Sequence, residues 1–307
     1  MRPRECECVC AWRHLHSLPI ALCQHTPPRE PMGKPASVDL SVSFAPPDVL
    51  HLLAYALMWE VVWQIGGIFC RTCFSQHPKI TKFGMSYTTA FINALLCSIG
   101  GTWCAISLLA DSYAARAVVD VASPSMYWPY LAPGVFIYQG CAHCFLGWLM
   151  MDIVHTLLHF PKLGGMDTIL HHVSFMCLTA LGSSYSIFPF VVSWLLLGEI
   201  SSLPLNIRWL LINSGRGDSQ ALTATNAVFA ISFFVVRVVI FWAGLAHLLL
   251  YLRPTLLDAP YNCPTFAVYG VCFFVTLGGC LNAFWMVSII KMAFRGGKKP
   301  KEKHAFE

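Results

Sequence analysis

Residues 223–251 read TATNAVFAISFFVVRVVIFWAGLAHLLLY, a run in which Arg237 is the only Asp, Glu, Lys or Arg. A helix needs about 20 apolar residues to cross the hydrocarbon layer, and here the apolar positions surround the axis instead of forming one stripe. Such a helix keeps no wet face. Working outward from it, six further apolar segments follow from residue 48 onward, at roughly 49–70, 86–110, 133–158, 168–183, 185–205 and 265–291. A chain of 307 residues is too short to enclose seven all-apolar helices in a core facing water, so lipid is the solvent they fit. Composition agrees: 56% of residues are hydrophobic and 11% charged, against about 25% charged in soluble domains. The expected fold class is therefore all-α, a polytopic transmembrane helical bundle of six to seven spans. The fourth and fifth segments are short and joined at Gly182-Ser183-Ser184, either as two tilted spans or as one hairpin that enters and leaves.

Three regions are expected. Residues 1–47, rich in Pro, Cys and His, lack any sustained period and read as a disordered tail, without the cleavage pattern of a signal peptide. Residues 48–291 form the membrane domain, and 292–307 a basic C-terminal tail. The net charge of +5 comes with no basic stripe interleaved with aromatics, which argues against a nucleic-acid partner. The charges instead follow topology. Arg71, Lys79, Lys82, Lys162, Arg208, Arg216 and the tail from Lys291 through Arg295 to Lys303 fall on alternate connections, which places them in the cytosol together with the C-terminus. The other connections hold Arg116 between Asp111 and Asp120, and later Arg253. Aromatics at segment ends (Tyr127, Trp128, Tyr130, Trp209, Tyr251, Tyr261) suit an interfacial belt.

An ionisable side chain at membrane depth costs roughly 2.5–3.5 kcal/mol even on the lenient insertion scale, so each is a functional candidate. Asp152, His155 and His159 fall at i, i+3 and i+7 and share a helical stripe; His171-His172 follow one short loop later, pointing about 100° apart. A carboxylate beside imidazoles fixes a tautomer and gives a general base or an activated nucleophile, which makes His171, His172 and Asp152 the catalytic candidates. The same residues could instead hydrogen-bond each other and hold helices together. Glu199 and Arg237, each set among apolar residues, are expected to meet across helices, since an unpaired buried charge is costlier. His155, His159, Glu199, Asn206, Arg208 and Arg237 form the wider candidate set of lipid-cavity or structural polar residues. Glu60 stands isolated in the first segment. Cys70-x-x-Cys73 and Cys141-x-x-Cys144 each supply half of a zinc site at unmatched depths, so no metal is expected, and Cys70 and Cys73 could carry palmitate. His155-x-x-x-His159 with His171-His172 imitates part of a di-iron histidine set, but the remaining ligand boxes are missing.

Asp152 to His159, His171-His172, Glu199-Ile200-Ser201-Ser202 leading to Asn206-Ile207-Arg208-Trp209, and Phe233-Phe234-Val235-Val236-Arg237 together resemble the TLC domain family, over roughly residues 50–291. Its members include the ceramide synthases, the translocating-chain-associating membrane protein and the small TLC domain-containing proteins, which this chain resembles most. The resemblance implies a helical bundle around a lipid-accessible cavity, in the endoplasmic reticulum or a nearby membrane, with membrane lipids as partners, a sphingoid base or a phospholipid among them. It implies membrane lipid homeostasis through lipid binding or control of acyl composition. Alternatively it implies N-acyl transfer with acyl-CoA as co-substrate and His171 or His172 as base or nucleophile, with no bound cofactor. A cargo or translocation helper is the weaker alternative, and oligomerisation is compatible with all three. The ceramide synthases carry further aspartates and a His-Asp after the histidine pair that this chain lacks. Ser201-Ser202-Leu203-Pro204 also sets the proline one position later than in the small branch.

Overall fold

The structure, a computed structural model, describes residue 44, residues 49–110, 112–118 and 138–258, residue 261 and residues 263–294. Within these residues lie α1 (Val49–Cys73), α2 (Pro78–Leu109), the short α3 (Tyr113–Ala117), α4 (Tyr138–Leu158) and α5 (Met166–Ser184). A broken rod follows: α6 (Pro189–Leu197), a 3₁₀ turn (Gly198–Ser201) and α7 (Ser202–Asn213). The next rod runs from α8 (Gln220–Phe233) through a π-helical stretch (Phe234–Ile240), α9 (Phe241–His247) and a second π stretch (Leu248–Leu252) to α10 (Arg253–Leu257). The last helix is α11 (Thr265–Phe294). Five of these rods are long and apolar enough to cross a membrane: 49–73, 78–109, 189–213, 220–257 and 265–292; a shorter apolar helix spans 142–158. This is an all-helical bundle of the expected class. The N-terminal tail other than Phe44, the acids Asp111 and Asp120, the aromatics Tyr127, Trp128 and Tyr130, and the basic residues beyond Phe294 lie outside the described residues.

Several boundaries differ from expectation for physical reasons. Arg208 and Arg253, assigned to connections, stand in α7 and α10, because helices continue past their apolar stretch and long cationic side chains reach out of the membrane from their ends. α5 runs through Gly182-Ser183-Ser184, and the reversal falls at 185–188. There Ser186 and Phe188 hold positive φ, a conformation that non-glycine residues adopt only when their surroundings impose it. Phe188 is fully buried, and its N–H donates to the Ala117 carbonyl at 2.7 Å, which anchors the turn. Pro189 then starts α6, with its missing N–H at a position that has no helical partner.

The core gathers around α6, whose residues from Pro189 to Leu196 are all buried. α2 packs along both α6 and α7, α1 bridges α2 and α4, and α5 lies between α4 and α11. Glycines permit the closest approaches. A β-carbon at residue 101 would come within 2.7 Å of Leu196 Cβ and 2.8 Å of the Ser193 carbonyl, and one at 147 within 2.6 Å of Tyr55 Cβ. Small residues at helix crossings are the usual basis of packing in lipid, where apolar surface alone brings helices no advantage. Outward faces are apolar: Leu53, Leu57, Val61, Ile65 and Ile68 form an exposed stripe on α1, and Phe266, Tyr269 and Phe273 another on α11. In water those stripes would be a large unburied apolar area; in a bilayer they face acyl chains. Gly101→Leu is expected to cost about 1–3 kcal/mol by forcing α2 from α6. Thermal unfolding in detergent should show it, with Ile106→Ala on the lipid-facing side of α2 unchanged.

Candidate functional site

Two irregular turns build the centre of the site. Pro204 has no N–H to offer the carbonyl of Ile200, so the chain entering α7 tightens into the 3₁₀ turn Gly198–Ser201. Opposite it, the π-helical stretch of the neighbouring rod carries Arg237. The guanidinium fills the gap between them. Nε donates to the Gly198 carbonyl (3.1 Å) and Ser201 Oγ (2.9 Å), while Nη2 donates to Glu199 Oε1 (3.0 Å) and Ser202 Oγ (3.1 Å). The group also lies 5.8 Å over the Phe233 ring. The expected contact between Glu199 and Arg237 is thus direct. Both side chains are nearly buried, at 12% and 10% exposed, so each neutralises a charge that lipid would not solvate.

The stripe Asp152–His155–His159 does not act as one group. Asp152 Oδ2 meets His172 Nε2 at 2.8 Å, across to α5. His155 turns to α1, where Nε2 lies 2.8 Å from Glu60 Oε2 and the ring stacks on Trp63 at 4.1 Å. His159 sits in the turn beyond α4, with Nδ1 3.0 Å from the His155 carbonyl and its ring edge-on to Phe83. A spread of about 60° around the helix is enough for three neighbouring helices to claim the three side chains. Glu60, expected to be isolated, has both His155 and Gln64 as partners and lines a side cleft with Leu57 and Met151. Cys70 is buried beside Thr88, which removes it as an acylation site, while Cys73 is exposed.

The adjacent histidines diverge as their spacing requires, with ring planes 78° apart. Both nitrogens of His172 face acceptors, Asp152 Oδ2 and the Thr168 carbonyl, each at 2.8 Å. Nδ1 therefore carries a proton, a second proton lies between Nε2 and the carboxylate, and no lone pair is left for a substrate. His171 differs. Among the described residues it makes no hydrogen bond; it packs against Phe175 and Trp285 at 4.5 and 5.3 Å and lines a cavity of about 390 Å³.

That cavity brings together His171, Glu199, Arg208 and Arg237 from the candidate set, and adds Asp167, Ser201, Ser202 and Trp285. Asp152 and Asn206 line a separate small cavity of about 90 Å³ behind it, so the acid proposed for catalysis stands one layer away. Asp167 is not evident from the sequence because it stands just before the apolar run that begins at residue 168. Its partner, the Trp285 indole N–H donating to Oδ2 at 2.8 Å, is 118 residues distant. Apolar walls come from Leu205, Phe229, Phe233, Ile289 and Met292, and the exposure of Leu205 (40%) and Met292 (47%) shows where the cavity opens.

A multi-pass helical membrane protein with a half-polar cavity in its bundle is the class that fold and site define. Within that class the chain belongs to the TLC domain family, whose model matches residues 85–291 and so leaves α1 outside the match. Compared with curated proteins, the chain finds no match.

The Glu199–Arg237 pair is expected to be stabilising in a coupled way. Glu199→Leu alone, which strands the guanidinium, should cost about 3–5 kcal/mol, and adding Arg237→Leu should recover part of that loss. Unfolding of both variants in detergent measures it; an unaffected single variant and additive double variant would remove the pair from the account.

Proposed function

We propose that this protein acts in membrane lipid homeostasis by holding a lipid in the cavity lined by His171, Glu199, Arg208 and Arg237. The observation that carries the reading is the two-sided lining: polar side chains converge from α5, the 3₁₀ turn, α7, the π-helical stretch and α11, and apolar walls run beside them to the opening at Leu205 and Met292. About 390 Å³ suits a headgroup and the atoms next to it, within the usual range for small-molecule sites. Acyl chains would leave through the opening and lie against the apolar exterior. The distribution of Lys and Arg supports a cytosolic C-terminus, and the family favours the endoplasmic reticulum or a membrane near it.

N-acyl transfer is a second reading, favoured by one observation: His171 lines the cavity without a hydrogen-bond partner. In that reaction the lipid amine attacks the thioester carbonyl of acyl-CoA as His171 takes the amine proton. The C–N bond forms, the C–S bond breaks, and the thiolate leaves with that proton. His172 and Asp152 would then act as positioning residues, fixing α5 against α4, because His172 has no free nitrogen to act as base.

Untargeted lipidomics of cells expressing the intact chain or His171→Ala tests both readings. A change in phospholipid or sphingolipid acyl composition with the intact chain is expected. Its persistence in His171→Ala supports a binder, and its disappearance with normal protein abundance and retained lipid binding supports transfer. Identical profiles with intact chain and empty vector would overturn the proposal.

A further inference from the structure

The charged groups of the cavity lie at two levels. Glu199 and Arg237 form the inner level and satisfy each other. Asp167 and Arg208 stand near one end of the bundle: Asp167 in the first turn of α5, Arg208 in the second half of α7, beside Asn226 and Met292. The 159–165 and 214–219 connections and the C-terminal end of α11 meet at that same end, which is where lipid headgroups lie. The ion pairs among the described residues do not include Asp167 or Arg208. Arg208 Nε donates to Asn226 Oδ1 (2.8 Å) and Nη2 to Met292 Sδ (3.3 Å), a weak acceptor, so that among the described residues the cation has no anion. Asp167 receives the Trp285 N–H at Oδ2 and, among the described residues, no cation.

α11 touches both groups. Trp285, which holds Asp167, and Met292, which touches Arg208, are seven residues apart on nearly the same face. That is about 10 Å along the axis. A ligand that carries both a phosphate and an ammonium could meet both groups with charge-assisted hydrogen bonds. We propose that the cavity selects a zwitterionic amine-bearing phospholipid, its phosphate on Arg208 and its ammonium on Asp167 beside the Trp285 ring. The proposal rests on the lipid-binding reading above and names the headgroup. It also sets a depth: His171 lies four residues, about 6 Å, further in than Asp167. There it lies on the ammonium side of the headgroup, away from the phosphate. The four cavity charges sum to zero, which matches a ligand of no net charge.

The test uses the full chain in maltoside detergent and phosphatidylethanolamine with a photoactivatable group in one acyl chain. Cross-linked peptides are mapped by mass spectrometry. Labelling is expected on cavity segments of α8 and α11. Unlabelled phosphatidylethanolamine should compete about tenfold better than phosphatidic acid or diacylglycerol. Asp167→Asn should bring phosphatidylethanolamine to the level of phosphatidic acid, and Arg208→Gln should weaken both. Asp167→Glu and Arg208→Lys, which keep the charges, serve as folded controls that retain part of the preference. Equal competition by diacylglycerol, indifference to Asp167→Asn, or displacement by acyl-CoA but not by phosphatidic acid would overturn the headgroup assignment while leaving lipid binding intact. Displacement by soluble glycerophosphoethanolamine at matching concentration would move the ligand from a lipid to a free phosphoester. Absence of any cavity labelling would overturn the lipid-binding reading, and the headgroup assignment would fall with it.

Discussion

A guanidinium cannot stay in a hydrocarbon layer unless the protein surrounds it, and the structure around Arg237 shows what that demands. One side chain takes the carboxylate of Glu199, two serine hydroxyls and a backbone carbonyl. Meeting that demand requires two helices to depart from regular geometry where they face each other. The 3₁₀ turn before α7 swings the Gly198 carbonyl and both serines toward the cation, and the π-helical stretch sets Arg237 opposite them. Irregular backbone at membrane depth is tolerated only where it is buried or lines a cavity. Here it does both. The rods 189–213 and 220–257 are thereby fixed in register, and the cavity between them, α5 and α11 inherits its shape.

The polarity of that cavity then follows a gradient along the bundle. Its inner level is electrically closed, with acid and base in contact and little charge left to attract a ligand. At the outer level Asp167 and Arg208 are tied down by neutral partners, an indole and an amide, which hold them in place without cancelling them. Such an arrangement separates two tasks that sequence proximity alone would merge: Glu199 and Arg237 secure the fold, and the outer residues are free to meet a headgroup. His171, between the two levels, is the imidazole in contact with the cavity that keeps a free nitrogen. The Asp152–His172 pair stands behind it and joins α4 to α5.

Much of this was legible in particular residues. The apolar run around Arg237 and the low charge content announced the bundle, and the solitary opposite charges Glu199 and Arg237 announced each other. Their common need in lipid left few alternatives. The ordered motifs between Asp152 and Arg237 carried the family resemblance, which the TLC domain match over 85–291 bears out. Less legible was the fate of the stripe Asp152–His155–His159. Periodicity says which residues share a face, but not which of three neighbours that face will meet, and here α5, α1 and α2 each took one. Asn206 and Arg208, two residues apart, were likewise sent to different cavities.

The sequence by itself determined that the chain lives in lipid, that its helices are membrane rods, and that a few buried charges must find partners. These are matters of composition and of the cost of an unpaired charge, which act locally. Only the tertiary structure decided that His172 is fully engaged while His171 is not. It also decided that Glu60 belongs to His155, and that Asp167 and Trp285 meet across 118 residues to form one side of the cavity mouth. Hydrogen bonds in a membrane form wherever donors and acceptors are brought within reach, and that reach is set by helix packing at close glycine crossings, which no linear spacing encodes.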